Sequence, residues 1–440
     1  MAAAIAAVAH GCAVTLIDEA PSPGGQIYRQ AAPGLPMGAW AAPGETARKR
    51  TLLDRFASIQ GRIDYRPETV AFAAFGNGEI HIARDGKSEV LRPDATILAT
   101  GVREQAIPFP GWTLPGVMFA GGAQAILKGH GVLPGKRAVI AGCGPLPLVV
   151  AAQLLRAGAS VQGLALLHPL TRMLTYPPGL WQGRAIVNEG LQYAWTVLRA
   201  GVRRFTGLVP VRALGVEGIE AVVLARLGAD GVAIPGSEEE IACDLLAVNY
   251  GFAANSELAA MAGARMQRDD AGGGWIAERD THGHTSVPGQ FVAGDGAGLR
   301  GALVAEAEGK LVGAAAAGAV APAATEVRRH LAFQRSVRAS LHLPSQLWNL
   351  TTDETIVCRC ESVTCGELRA AYAGGHRSLN AIKRNTRAAM GWCGGRTCLG
   401  AVGALCERDT GVMPPGMMTP RPMARPVSLA ALAAQTVPPE

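Results

Sequence analysis

No segment of this sequence has the length and apolar character needed to cross a bilayer. The longest candidate, Leu311–Ala324, is too short and too rich in Gly and Ala. The apolar opening run lacks a basic flank and breaks at His10-Gly11, which argues against a secretory signal. Aromatic residues fill only 5% of the 440 positions, and the 49% apolar content comes largely from Ala and Val. The 56 glycines follow no three-residue period, so a fibrous chain is excluded and a globular α/β protein with many tight turns is expected. The net charge of +6 is diffuse apart from four basic residues between Arg377 and Arg387, and it forms no nucleic-acid stripe. Cysteine is sparse in the first three quarters, where Cys12, Cys143 and Cys243 stand singly among apolar neighbours and read as buried small hydrophobes. The nine histidines are scattered. The chain reads as cytoplasmic, peripheral to the inner membrane only through partners.

Two β-α-β units are present. Ala2–Ala9 reads as a small-residue helix, Ala13–Ile17 as a strand, and Asp18-Glu19 as the acidic pair at its end. That is the second half of a nucleotide-binding unit. The strand and glycine turn that open such a unit would lie upstream of Met1, so the sequence is expected to start at an internal methionine or to be otherwise shortened, the other reading being a subunit that lacks the loop. "EIHIARDG" predicts antiparallel strands turning at Asp85-Gly86, and "DATILATG" (Asp94–Gly101) a buried strand ending on a glycine. A second unit opens at Lys136, and "TSVPGQFVAGDGAG" (Thr285–Gly298) runs into an Ala-rich helix, Gly301–Ala317. The expected fold class is α/β: two Rossmann-like dinucleotide-binding domains, the first truncated at its N-terminus, plus a small helical domain. Residues 1–105 and 246–325 would form the first, 106–245 the second, 326–350 a basic linker and 351–410 the helical domain. A Pro-rich tail, 411–440, is expected to be extended and partly disordered.

Six of the nine cysteines crowd into the last quarter. Cys358-Arg-Cys360 and, after 32 intervening residues, Cys393-Gly-Gly-Arg-Thr-Cys398 offer four thiolates in two close pairs, suited to a [2Fe–2S] cluster or a tetrahedral zinc. C-x-C spacing is less usual for structural zinc. The segment resembles the bacterioferritin-associated-ferredoxin type of [2Fe–2S] domain. Its second pair is C-x4-C where the free-standing ferredoxin has two intervening residues, which keeps Cys365 and Cys406 as alternatives to Cys393.

A flavin dinucleotide needs an acid after the second strand for its ribose and a later loop for its ribityl chain. Asp18 and Glu19 supply the first. The Gly24-Gly25-Gln26 turn, Thr100-Gly101 and Gly294-Asp295 are candidates to lie along the cofactor, with Asp295 accepting a ribityl hydroxyl. The helix from Gly301 could aim its dipole at the flavin pyrimidine edge. In this order the set resembles the flavoproteins with two dinucleotide-binding domains, such as ferredoxin reductases and pyridine nucleotide–disulfide oxidoreductases. The second fingerprint, "AGCGPLP", makes Gly142 and Gly144 candidate phosphate contacts, with Pro147 in place of the third glycine. The strand after it ends in "LLHP", with no acid for a ribose and no arginine cluster for a 2′-phosphate. NAD(P) or another nucleotide at this site, and a vestigial site, both stay open.

The full order of motifs resembles the α-type subunits of dye-linked amino-acid and opine dehydrogenases, a group holding opine oxidase, hydrogen cyanide synthase and proline or hydroxyproline dehydrogenase subunits. The resemblance implies an electron-transferring flavin and iron–sulfur subunit. The C–N bond would be oxidised by a separate FAD-containing β subunit of amino-acid-oxidase type, and a quinone, dye-like or ferredoxin-like acceptor would take the electrons. Two other classes remain: a self-contained NAD(P)H-dependent reductase and a non-catalytic scaffold.

Overall fold

A computed structural model describes residues 1–436 except 33, 36–37, 270–272 and 321. Ala2–Ala9 is helical, and Val14–Ile17 pairs in parallel with Ile63–Arg66. A second parallel pair joins Thr96–Leu98 to Gln290–Val292, so the first domain is assembled from both ends of a long insertion. The two pairs are not hydrogen-bonded to each other. The Ala-rich helix, Ala302–Ala316, packs on Ala2–Ala9 so closely that a Cβ at Gly309 or Gly313 would meet the backbone or side chain of Ala2 or Ala3. Ile80–Arg84 and Lys87–Leu91 form the expected hairpin. Its turn residues Asp85 and Gly86 both take positive φ, 51° and 72°, the combination a two-residue type I′ turn requires.

The second domain is a five-stranded parallel sheet, ordered Arg203–Thr206, Ser160–Leu166, Arg137–Gly142, Leu245–Asn249, Val117–Phe119. The expected boundary at 245 therefore falls on the first residue of a central strand, and the domain extends to Asn249. The helix Leu146–Arg156 follows the glycine turn, with Pro147 in its first turn, where a missing N–H costs nothing. Ala138, Ile140, Leu245 and Ala247 face this helix side, and Val139, Leu246 and Val248 fill the opposite core. That division across one sheet is what period-two burial in a doubly covered sheet produces. The two domains are joined by a short antiparallel ribbon, Val102–Glu104 against Phe252–Ala254.

The linker contains the helix Thr325–Arg338. Beyond it, helices Cys365–Ala373, Leu379–Thr386 and Leu399–Thr410 enclose a core of Val357, Leu368, Tyr372, Ile382, Ala401 and Leu405. Thr364 and Glu367 close a capping box at the first of these helices. The tail departs from expectation through residue 436. Arg425 pairs with Glu19 at 2.7 Å, the Ser88 hydroxyl donates to the Ala431 carbonyl, and Gln435–Thr436 adds a strand beside Lys87–Leu91. Proline removed donors from the tail but left its carbonyls and side chains free to dock. Residues 437–440 lie outside the described residues.

Candidate functional site

Cys358 closes the strand Ile356–Cys358 and Cys398 caps the helix Leu399–Thr410; both are buried. Cys398 is the main electrostatic neighbour of Cys358, and Cys360 and Cys393, half-buried, influence each other in the same way; all four thiols are free. The Cys398 thiol, joined by the backbone amides of Ala389, Glu361 and Cys360, pulls the Cys358 thiol down to about 6. Ala389 can aim its amide inward because it sits at φ 68°, a left-handed conformation unusual for alanine. Gly391 lies against the Cys360 Cβ, where any side chain would collide. Among the described residues no three of His, Cys, Asp or Glu converge on one point. Two pairs, with amides directed at sulfur, fit the two-iron group. Cys365 and Cys406 are fully buried elsewhere, Cys365 beside Thr351 and Arg408, and Cys406 beside Thr410. Cys393 neighbours Cys360, Cys360 neighbours Cys358, and Cys358 neighbours Cys398.

The flavin-side loops also meet. Thr100 and Asn255 exchange hydrogen bonds through side chains and carbonyls, and Gly296 touches Thr100 and the Gly101 amide where a Cβ would not fit. Asp295 Oδ1 accepts the amides of Arg300 (2.8 Å) and Gly301 (2.6 Å), and burial raises its pKa. One carboxylate oxygen is thus spent on shaping the loop, leaving Oδ2 as the oxygen suited to a ribityl hydroxyl. Sequence reasoning missed Glu308, buried on the Ala-rich helix. It accepts the Gly294 amide (3.1 Å) and holds Arg279 (2.8 Å) and Arg300 (2.9 Å). A charge on the inward face of an otherwise small-residue helix was the available signal. At the end of the first strand, Asp18 accepts the Ala20 amide at 2.9 Å and its pKa is raised by burial, while Glu19 is turned to Arg425. Gly24 and Gly25 both take positive φ in a turn closed by the Tyr28 amide on the Gly24 carbonyl, and Gln26 accepts Arg29. The residues present fit the ribose and ribityl ends of FAD.

One arginine ties the two sites together. Arg103, on the ribbon between domains, donates Nε to the Arg396 carbonyl at 2.9 Å. Its Nη1 reaches the Ala254 carbonyl (2.8 Å), Asn255 Oδ1 (3.0 Å) and Glu257 (2.8 Å). Arg396 in turn donates to the Cys393 carbonyl at 2.9 Å. Arg396 lies between Cys393 and Cys398, within the two-residue excess of the C-x4-C pair. That excess was the sequence signal for this bridge. A hydrogen-bonded route therefore runs from Cys393 through Arg396, Arg103 and Asn255 to Thr100 and Gly101. Beside it, Glu104 accepts the Gly121 amide at 2.8 Å and the Asn249 side-chain amide at 2.7 Å, and burial pushes its pKa up to about 7.

The second glycine turn has other neighbours. Gly142 lies against the backbone of Asn249, the Cys143 amide donates to the Asn249 carbonyl (2.9 Å), and the Gly144 amide donates to the Ser340 carbonyl (3.0 Å). The tip of the Leu341 side chain stands over Gly144 and would have to shift to admit a side chain there. Where the following strand ends, His168 Nε2 bonds the His342 carbonyl at 2.9 Å. Residues 340–342 thus lie across the turn and the strand end, the two places a dinucleotide would need.

Residues 1–310 match the pyridine nucleotide-disulphide oxidoreductase family, and residues 356–408 match the BFD-like [2Fe-2S] binding domain. The larger-scale likeness is to enzyme subunits. The opine oxidase A-subunit of Rhizobium meliloti is 32% identical, over 96% of this chain and 94% of that one. Hydrogen cyanide synthase subunit HcnB of Pseudomonas aeruginosa is 31% identical, over 98% of this chain and 95% of its own. The crystal structure of L-proline dehydrogenase from P. horikoshii superimposes with a TM-score of 0.67 at 19% identity, covering 98% of this chain and 77% of that one, which supports the fold. No helix among the described residues is long and apolar enough to cross a membrane. FAD and a [2Fe–2S] cluster are the cofactors of this oxidoreductase. The chain belongs to the pyridine nucleotide-disulphide oxidoreductase family, in the branch that contains the opine oxidase A-subunit.

Proposed function

We propose that this chain is the electron-transferring subunit of a hetero-oligomeric amino-acid or opine dehydrogenase. A partner β subunit of amino-acid-oxidase type oxidises the C–N bond at its own FAD, and this chain passes the electrons to a quinone, dye-like or ferredoxin-like acceptor. When bound, FAD would accept electrons as a pair and release them singly, and a [2Fe–2S] centre would carry them one at a time, so the two together convert one kind of traffic into the other. The observation that carries this reading is the route Cys393–Arg396–Arg103–Asn255–Thr100, which holds the cluster loop against the flavin loop. Asp18 holds the ribose, with Glu19 beside it once it leaves its ion pair with Arg425, and Gly24, Gly25 and Gln26 lie along the cofactor. Thr100, Gly101, Gly294 and Asp295 hold the ribityl chain and ring, and the helix Ala302–Ala316 directs its positive end there. Cys358, Cys360, Cys393 and Cys398 bind the cluster. The segment over Gly142 and Gly144 disfavours a self-contained NAD(P)H reductase, which needs that cleft open. The test is the native gene product prepared without air, alone and with its partner subunit. Flavin and iron–sulfur absorbance together, with substrate turnover only in the complex, are expected; a colourless, iron-free protein refutes the reading.

A further inference from the structure

The helix Arg184–Arg199 has two apolar faces, and only one is covered. Tyr193 and Val197 pack against the core beneath Leu146–Arg156, and Glu189 on the same side holds Arg48 at 2.8 Å. On the opposite side Leu191, Trp195 and Leu198 recur at i, i+4 and i+7, 63%, 61% and 48% exposed. Just ahead of the helix, Trp181 is 73% exposed, and the Arg184 guanidinium lies 5.7 Å from its ring centre. Leu174, in the preceding turn, is 61% exposed. A row of large apolar side chains held out to water by a well-anchored helix is a binding surface more often than an accident.

Charge and composition say what fits it. Between residues 170 and 204 the sequence has five arginines, no lysine and a single acid, Glu189, which is buried. Arg172, Arg184 and Arg199 are exposed beside the apolar row. Tryptophan and arginine are enriched at protein–protein interfaces and lysine is depleted there. The uniformly basic frame is complementary to an acidic one. We infer that the face of Arg184–Arg199 bearing Trp181, Leu191, Trp195 and Leu198 docks the catalytic partner subunit, through an apolar patch bordered by Asp and Glu. This rests on the reading of the chain as one subunit of a hetero-oligomer.

The test uses the full chain, loaded with its cofactors, and the amino-acid-oxidase-type subunit that the same host produces with it. Leu191→Glu and Trp195→Glu are measured for partner affinity, with flavin and cluster spectra and melting temperature as checks on folding. Each substitution is expected to weaken the complex by about 30-fold, the loss of one interface hot spot. Arg184→Glu with Arg199→Glu should slow association and flatten its dependence on salt. Parent-like affinity in folded Leu191→Glu and Trp195→Glu overturns the inference. So does an intact hetero-complex combined with lost self-association, which assigns the face to a second copy. The same holds for an intact complex combined with lost binding to phosphatidylglycerol vesicles, which assigns it to a membrane. A parent chain that binds no such subunit refutes the hetero-oligomer reading itself, and this inference with it.

Discussion

Replacing Arg103 with alanine removes the side chain that spans the flavin and cluster loops. Four polar contacts disappear: to the Arg396 and Ala254 carbonyls, to Asn255 Oδ1 and to Glu257. Only the first crosses to the cluster domain. A hydrogen bond from a charged donor contributes about 1.5–3 kcal/mol, and about 1.4 kcal/mol is tenfold in an equilibrium. The cluster loop should therefore open at least about tenfold more often. Losing the partner of Glu257, whose side chain is only 20% exposed, loosens the ribbon further. A single unfolding free energy is not well defined for a chain of several domains, so the assay must be local. Hydrogen exchange read by mass spectrometry over 391–399 should accelerate by about tenfold in Arg103→Ala. The visible spectrum of the cluster should survive, and cluster reduction after rapid reduction of the flavin should slow. Arg103→Lys should fall between, since one ammonium cannot reproduce a fork of donors aimed at both loops. Unchanged exchange over 391–399, together with parent-like internal electron transfer, would refute the bridge.

Cys360→Ser should abolish the cluster signal, whereas Cys365→Ser and Cys406→Ser should keep it; electron paramagnetic resonance of the reduced protein decides. Asp295→Ala leaves the buried-loop amides of Arg300 and Gly301 without their acceptor, so hydrogen exchange at those amides should accelerate and flavin content per chain should fall. Glu104 has a folded pKa raised to about 7, so the native state binds its proton more tightly than the unfolded chain. Its contribution is present below the unfolded carboxylate range and is lost as pH rises from about 4.5 to 7, by up to about 3 kcal/mol. Melting curves of the parent should decline across that window more steeply than those of Glu104→Gln; parallel curves would refute the assignment. NADH or NADPH added without air should not bleach the flavin, because Leu341 covers Gly144; rapid stoichiometric bleaching would show that the cleft is open.

Local patterns carried far. The helix at Ala2–Ala9, the hairpin at Asp85-Gly86 and the unit Arg137–Leu166 depend on periodicities and turn residues contained within a few positions, and each formed close to where the sequence places it. The two close cysteine spacings were visible for the same reason, since each pair lies within a few positions of one loop. The meeting of the two pairs was implied only through resemblance, and its geometry awaited the fold.

Tertiary structure alone decided what lies against these local pieces. Leu341 reaches the turn at Gly144 from within the linker, and Arg396 meets Arg103 across 293 positions. The tail, read from its prolines as loose, docks on Glu19 and Ser88. Glu104, Glu308 and Arg103 look like ordinary charged residues until burial and partners are known. A periodic pattern records which face of an element is apolar, and so the sequence could specify the elements, the turns and the metal-binding loops. It does not record which distant group fills the space above a glycine or accepts a guanidinium proton. Those choices follow from the packing of whole domains, and they separate a cleft that admits a nucleotide from one closed by its own chain.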